Sequence, residues 1–211
     1  MSPSTTFINY EENQMNITTE DIKWPMTLFD DTEPREEGLH LGAVIKSLMD
    51  RSGMGYPKDG GFTDLELAAE IGLLWELALS KIMREKYAVR PPQMEVDGIW
   101  MSPDGVGAVD PLGSLSVGPD PQGEVPVVVE EYKATWQGSK RVAVDNFRYM
   151  TQVKSYCRAL GTKVVIMRIF HIMGDYKGSG PLYRVSRIEF SDWELDQNWD
   201  MILKEKERMG L

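Results

Sequence analysis

Apolar positions in the first half of the chain recur at helical spacing and predict two helices. The first is expected over residues 39–50, with one apolar face made of Leu41, Val44, Ile45 and Leu48. The second is expected to begin at the capping-box pattern Thr63-Asp64-Leu65-Glu66 and to run to about residue 87, before Arg90-Pro91-Pro92. Its buried stripe is expected to consist of Leu67, Ile71, Leu74, Ala78 and Ile82.

Later segments carry four strand patterns and two more helix patterns. Strands are expected over residues 94–100, 127–133, 163–172 and 182–190. A helix over residues 145–160 should end at Gly161 and bury Phe147, Met150, Val153, Cys157 and Leu160. A C-terminal helix opens with the capping box Ser191-Asp192-Trp193-Glu194 and should bury Trp193, Leu195, Trp199 and Leu203.

The domain organisation is expected to be simple. Residues 39–211 form one domain without internal repeats, and residues 111–125, rich in Gly, Pro, Ser and Asp, form a flexible excursion. Residues 1–38 are polar and acidic, and they form either an extended arm, which could bind a partner as a strap, or a loosely ordered terminus.

Composition narrows the class of protein. The 211 residues carry a net charge of −10, which argues against a uniformly basic nucleic-acid binder but leaves room for a local basic groove. No apolar run approaches the ~20 residues of a membrane helix, and no signal peptide is visible, so a cytoplasmic, non-membrane setting is expected. Cys157 is the lone cysteine, which excludes an internal disulfide, a cysteine-based zinc site and an iron–sulfur cluster built from this chain.

The strand at residues 127–133 carries the first candidate chemistry. Strand side chains alternate faces, so Glu131 and Lys133 share one face where the strand leaves the core. The earlier strand carries Asp97 among apolar neighbours. Mg²⁺ prefers oxygen ligands, so Asp97 and Glu131 are the expected principal ligands, with the carbonyl of Tyr132 as another. Lys133 would orient an attacking water or stabilise developing charge, as in metal-assisted hydrolysis.

Glu76 is the second candidate, because it lies inside the apolar run Leu73-Leu74-Trp75-Glu76-Leu77-Ala78-Leu79. A carboxylate there is costly unless it is paired, protonated or bound to metal. Glu76 is therefore expected to reach the site as a further metal ligand or water contact. The alternative is a glutamate on the exposed surface of the helix.

The order of these residues resembles the PD-(D/E)xK nuclease superfamily, particularly its RecB-type and lambda-exonuclease-like branch. In that family a helix glutamate precedes a strand aspartate and a strand (D/E)-x-K, and a helix with Q-x-x-x-Y follows. Here Glu76, Asp97, Glu131-Tyr132-Lys133 and Gln152-Val153-Lys154-Ser155-Tyr156 occupy those places, over roughly residues 64 to 190. Glu70 competes with Glu76 for the place of the helix glutamate.

The resemblance implies an α/β, restriction-endonuclease-like fold, with a mixed central β-sheet flanked by helices. It also implies Mg²⁺- or Mn²⁺-dependent cleavage of DNA, with Gln152 and Tyr156 positioning the DNA or Lys133. A homo-oligomer, a single-strand-annealing or other recombination protein as partner, and the host cytoplasm for a phage-encoded enzyme are further expectations of this kind.

Contacts to DNA are expected after the strand that carries Glu131. Phosphates would be bound by Lys140, Arg141, Arg148 and Lys154, and Trp136 or Tyr149 would stack on a base. The alternative is a solvated helix face beside core aromatic residues.

The leading hypothesis is a metal-dependent exonuclease of recombination or repair, with a phage-encoded enzyme as one option. A structure-selective or nicking endonuclease and a non-catalytic DNA-binding or assembly protein on the same fold remain alternatives. A small-molecule hydrolase is disfavoured by the absence of a Gly-x-Ser-x-Gly elbow and of a P-loop. His40 is expected at the surface where a helix starts, and His171 is expected to be structural.

Overall fold

The structure is a computed structural model. It describes the backbone of residues 6–8, 17–19, 65–69 and 82–84, and both backbone and side chains of residues 35–54, 70–81, 88–107, 127–136, 138–140, 143–174 and 180–211. Most of the predicted arm, the predicted excursion at 111–125, the Thr63-Asp64 start of the second helix and Arg141 lie outside the described residues. None of the described helices is long and apolar enough to cross a membrane.

The described elements follow one another in mixed order. The strands are β1 (Thr6–Ile8), β2 (Ile17–Thr19), β3 (Ala88–Val89), β4 (Met94–Val96), β5 (Ile99–Met101), β6 (Gly105–Gly107), β7 (Val128–Thr135), β8 (Val164–His171) and β9 (Leu182–Glu189). The helices are α1 (Leu41–Arg51), α2 (Leu65–Arg84), α3 (Phe147–Leu160) and α4 (Asp192–Arg208), and a 3₁₀ turn spans Ala143–Asp145.

A mixed sheet of five strands forms the centre of the fold, in the order β3-β6-β7-β8-β9. Neighbouring strands are antiparallel except β7 and β8, which run parallel and are joined through α3. A parallel pair needs such a crossover, because its two strands start at the same edge of the sheet. The predicted fold class, a mixed central sheet flanked by helices, is confirmed.

The two faces of β7 are buried against different layers. Val129 on one face belongs to the main core, together with residues of α1, α3, α4 and β8. Tyr132 on the other face packs with Leu79 and Trp75 of α2. Because both faces of β7 are covered, the charged residues Glu130 and Glu131 are buried along with the apolar ones.

Three local predictions of helix structure are confirmed. The buried residues of α1 are Leu41, Val44, Ile45 and Leu48, as expected from their spacing. Helix α3 ends at Gly161 in the left-handed conformation, with φ of 65°. Helix α4 begins with the Ser191–Glu194 capping box.

Trp193 was expected in the core and is instead 70% exposed, because it lies in the first turn of α4, on the side away from Leu195 and Trp199.

The predicted buried stripe of α2 is wrong at Leu74 and Ala78, which are exposed, while Ile71 is half-buried. The side chains of Leu67 and Ile82, the other two predicted positions, lie outside the described residues. Leu74 is 44% exposed, whereas Leu79 is 5% exposed. Trp75 fixes the orientation of the helix, because its ring stacks on Phe170 of β8 with 4.7 Å between ring centroids. Residues 71–79 are apolar on nearly every side of the helix, so spacing could not select the buried face. The face that packs inward is the one that carries Glu76.

The expected strand over residues 94–100 is a tight hairpin of β4 and β5. Asp97 and Gly98 form its two-residue turn, with φ of 52° and 73°. Positive φ at both positions is typical of a type I′ turn, for which Asp-Gly is a favoured pair. Asp97 therefore lies at the tip of a hairpin and not in the middle of a strand.

Candidate active site

Strand β7 carries two charged side chains on one face. Glu131 is fully buried, and the Lys133 side chain is 21% exposed. The Nζ atom of Lys133 contacts Oε1 of Glu131. Oε2 of Glu131 has no hydrogen-bond partner among the described residues. The face shared by Glu131 and Lys133 is thus the one that the sequence predicted.

Asp104 is the aspartate that meets this pair. Gly105 of β6 is paired with Glu130 of β7, so the next position outward sets Asp104 beside Glu131. Oδ2 of Asp104 accepts a hydrogen bond of 2.7 Å from the backbone N–H of Tyr132. The Asp104 side chain is therefore held against the strand segment that bears Glu131 and Lys133.

The structure does not bring Asp97 to this cluster, because Asp97 is engaged elsewhere. Its Oδ2 accepts a hydrogen bond of 2.9 Å from Nε1 of Trp199, and its carbonyl accepts one of 2.5 Å from Nζ of Lys206. Asp97 thus joins the β4–β5 hairpin to α4. The signal that the sequence offered for Asp104 is the dipeptide Pro103-Asp104, which precedes β6.

Glu76 approaches the same place from α2. It lines one cavity together with Asp104 and Lys133. Its Oε1 lies 3.0 Å from Nη1 of Arg90, a residue that sequence reasoning did not single out. Glu70 does not line this cavity. Between the two candidates for the helix carboxylate, the structure therefore brings Glu76, and not Glu70, to the cluster.

Gln152 and Tyr156 join the cluster from α3. Nε2 of Gln152 donates a hydrogen bond of 2.8 Å to the hydroxyl of Tyr156. That hydroxyl donates one of 3.2 Å to the carbonyl of Ser102, just before Pro103-Asp104. The pair therefore connects α3 to the segment that carries Asp104.

Burial dominates the electrostatics of the carboxylates. Burial, followed by the charge of Asp104, raises the pKa of Glu131 to about 8 against the opposing charge of Lys133. Burial also raises the pKa of Asp104 and of Glu76. For Lys133, burial lowers the pKa, but the charges of Glu131 and Asp104 outweigh it and raise the pKa above its usual value. A further cation would thus relieve the cost of ionising the carboxylates.

The donor atoms suit a hard divalent cation, which prefers carboxylate and carbonyl oxygens. Glu131 offers an oxygen without a hydrogen-bond partner, and Asp104 and Glu76 are the carboxylates whose charges raise its pKa. In the described parts of the chain, however, no group of three His, Cys, Asp or Glu side chains is already arranged around a cation position. Glu76 is held by Arg90 and Glu131 by Lys133. The role of Tyr132 as a carbonyl ligand stays a prediction.

The cavity in front of these residues has a volume of about 930 Å³. Five cationic side chains line it, namely those of Arg35, Lys81, Arg90, Lys133 and Arg148. Half-buried His40, just before α1, also lines it, so this residue is not the plain surface histidine that was expected. His171 is 3% exposed within β8, in agreement with a structural role. The net negative charge of the chain therefore coexists with a locally basic wall.

The predicted DNA contacts are only partly gathered at this cavity. Arg148 lines it. Lys154 instead lies 3.5 Å from Glu194 of α4 and over the ring of Phe190, away from the cavity wall. Lys140 is exposed and Trp136 is half-buried, and neither lines the cavity. Arg35, Lys81 and Arg90, which come from distant segments, were not foreseen.

Comparison with protein-family models and with curated proteins finds no match. Among solved structures, the chain is similar to an alkaline exonuclease (LHK-Exo) from Laribacter hongkongensis, with 15% identity and a TM-score of 0.48, over 80% of this chain and 78% of that one. A structure of LHK-Exo in complex with dAMP aligns with 12% identity and a TM-score of 0.49, over 82% of this chain and 88% of that one. The chemistry proposed below rests on the residues of this chain.

Proposed function

We propose that this protein is a divalent-cation-dependent deoxyribonuclease that hydrolyses phosphodiester bonds of DNA, starting at the ends of the strand. The observation that carries the proposal is that Asp104 and Lys133 line a cavity with a basic wall, while the buried carboxylate of Glu131 lies against Lys133. The end-directed form of the proposal comes from the resemblance in motif order. The exonuclease neighbours in structure are too distant to support it.

Each residue has a role that its position supports. Asp104 and Glu131 would hold Mg²⁺ or Mn²⁺, and Glu76 would complete the set. The cation, when bound, would polarise the phosphate and lower the pKa of a bound water. Lys133 stays protonated beside Glu131, so its ammonium can orient that water and stabilise the charge that develops on the phosphate. Gln152 and Tyr156 would keep Asp104 and Lys133 in place.

The basic wall supports a polyanionic substrate. Arg35 and Arg148 lie on the same cavity as Lys133, and guanidinium groups bind phosphate with two parallel hydrogen bonds. DNA is therefore the proposed partner. Assembly into a homo-oligomer and contact with an annealing protein remain predictions.

The test compares linear and closed circular duplex DNA, each incubated with Mg²⁺, with Mn²⁺ and with EDTA. Wild-type protein should degrade linear DNA in a metal-dependent way. Lys133→Ala should lower the rate by about a hundredfold to a thousandfold, the usual cost of one charge-stabilising donor. Lys154→Ala is the matched control, because Lys154 pairs with Glu194 outside the cavity, and it should keep the wild-type rate.

Other outcomes would redirect the proposal. Cutting of closed circles would favour the structure-selective or nicking endonuclease. Equal inertness of wild type and Lys133→Ala on duplex, single-stranded and branched DNA would favour a non-catalytic DNA-binding protein. Activity that survives Lys133→Ala unchanged would contradict the assigned site.

A further inference from the structure

Arg90 occupies a defined position beside the carboxylates. Strand β3 pairs with β6 through Ala88 with Gly107 and Val89 with Val106. The same register sets Arg90 next to Gly105, one residue from Asp104. Pro91 and Pro92 follow and restrict the backbone. Pairing within the sheet therefore positions Arg90 beside the carboxylates.

The Arg90 guanidinium lies on Glu76. Nη1 of Arg90 is 3.0 Å from Oε1 of Glu76, and the two side chains are 28% and 25% exposed. Burial raises the pKa of Glu76, and the charge of Arg90 opposes that shift. Arginine cannot release its proton in a protein. Arg90 therefore keeps its charge and competes with a divalent cation for Oε1 of Glu76.

A second ion pair in the chain is fully buried and serves as a comparison. Arg168 and Glu130 are 1% and 2% exposed and are joined by two hydrogen bonds of 2.6 and 2.9 Å. The Arg90–Glu76 pair is open to the cavity, so solvent and an incoming cation can reach both partners. Solvent screens a partly exposed pair of this kind more than a fully buried one.

We propose that Arg90 is a displaceable counter-ion, which holds Glu76 until a divalent cation binds and then contacts a DNA phosphate in the same cavity. The inference rests on the proposed nuclease function and adds a residue to it. Of the two carboxylates other than Asp104, Glu76 is paired with Arg90 and Glu131 with Lys133.

The first measurement is binding of Mn²⁺ to the metal-free 211-residue chain without DNA, by isothermal titration calorimetry. Arg90→Gln should tighten Mn²⁺ binding by up to about fivefold, which corresponds to the ~1 kcal/mol contributed by an ion pair that solvent can reach. Glu76→Gln should weaken it. Arg148→Gln is the matched control, because it removes the same charge from the same cavity and should change the affinity less than Arg90→Gln does.

The second measurement is DNA binding by fluorescence anisotropy, with Ca²⁺ in place of Mg²⁺ and with EDTA. Arg90→Gln should weaken binding in Ca²⁺ and change it little in EDTA, when wild-type Arg90 is held by Glu76. Arg90→Lys should recover part of the loss, but not all, because lysine lacks the two parallel donors of a guanidinium.

The outcomes separate this inference from the proposed function. Unchanged or weaker Mn²⁺ binding in Arg90→Gln, or unchanged binding in Glu76→Gln, would overturn the role of Arg90. If Asp104→Asn and Glu131→Gln still abolished both Mn²⁺ binding and cleavage, the nuclease proposal would stand without it. Intact Mn²⁺ binding in Asp104→Asn and Glu131→Gln would overturn both.

Discussion

The backbone N–H of Tyr132 donates a hydrogen bond of 2.7 Å to Oδ2 of Asp104. Tyr132 stands between Glu131 and Lys133, so this bond fixes the aspartate at the centre of the charged cluster. Its geometry depends on the pairing of β6 with β7, two strands that are separated by the segment of residues 108–127. The aspartate of the site is thus selected by strand pairing.

Separate substitutions of Asp104 and Asp97 test this assignment directly. Asp104→Asn should lower DNA cleavage by at least about a hundredfold, since even supporting groups around a metal are worth ten- to a hundredfold. Asp97→Ala should leave the cleavage rate of the folded protein unchanged. It should lower the free energy of unfolding by about 1 kcal/mol, because the hydrogen bond from Trp199 is lost. Cleavage assays and urea unfolding measure both effects, and the reverse pattern of activities would contradict the assignment.

Adjacent glutamates on β7 should behave differently. Glu130 faces away from the cavity and neutralises the buried guanidinium of Arg168. Glu130→Gln should therefore cost about 3 kcal/mol of unfolding free energy, because an unpaired charge is left in the interior. The fraction that remains folded should still cleave DNA, whereas Glu131→Gln should not. Urea unfolding and a cleavage assay on the same preparations measure this, and full activity of Glu131→Gln would oppose the prediction.

The elevated pKa of Glu131 predicts a pH dependence of stability. Burial, then the charge of Asp104, raises this pKa from 4.5 to about 8. Between those values the folded protein holds a proton that the unfolded chain has released. The free energy of unfolding should therefore fall as pH rises, by at most about 1.4 kcal/mol per pH unit for one group. Lys133 is protonated in both states throughout this window and adds no slope.

Glu131→Gln provides the control for this dependence, because a glutamine has no proton to lose. In EDTA, the melting temperature of the wild type should fall relative to that of Glu131→Gln between about pH 5.5 and pH 7.5. Divalent cation should reduce the difference by stabilising the ionised carboxylate. If the melting temperatures of the two proteins changed equally with pH over this range, Glu131 would ionise at its ordinary pKa, and the prediction would be wrong.

Position 105, at the start of β6, should require glycine because there is no room for a Cβ atom. A Cβ at this position would lie 3.0 Å from the hydroxyl of Tyr132 and 3.1 Å from Cβ of Glu130. Gly105→Ala should lower the unfolding free energy by about 1–3 kcal/mol, the usual cost of overpacking. It should also reduce cleavage by displacing Asp104. Gly72→Ala is the control, since no described atom lies within 4 Å of the added Cβ, and it should be neutral or stabilising by up to about 1 kcal/mol.

Several features followed from local patterns in the sequence. The end of α3 at Gly161, the capping box at Ser191 and the buried face of α1 each depend on residues within one or two helical turns. The common face of Glu131 and Lys133 follows from the alternation of side chains along a strand. Such features are accessible because each is decided inside a single element.

Two predictions failed because local patterns were ambiguous. Helix α2 is apolar on most sides, so only its contact with Phe170 decides that Trp75 faces the sheet and that Leu74 is exposed. Asp97 followed a strand-like pattern, but the adjacent glycine allows a turn in which both residues adopt positive φ. The Asp97-Gly98 turn signal was present in the sequence and was outweighed by the apolar flanks.

The sequence by itself therefore determined the types of element, most of their ends, and the residues of β7 and α3 that share a face. Only the tertiary structure decided that Asp104 belongs beside Glu131, that Glu76 belongs there in preference to Glu70, and that Arg90 holds Glu76. These relations join segments far apart in the chain, through strand register and through the burial of charge against opposite charge. No periodicity within one segment carries that information, because it resides in how the segments pack.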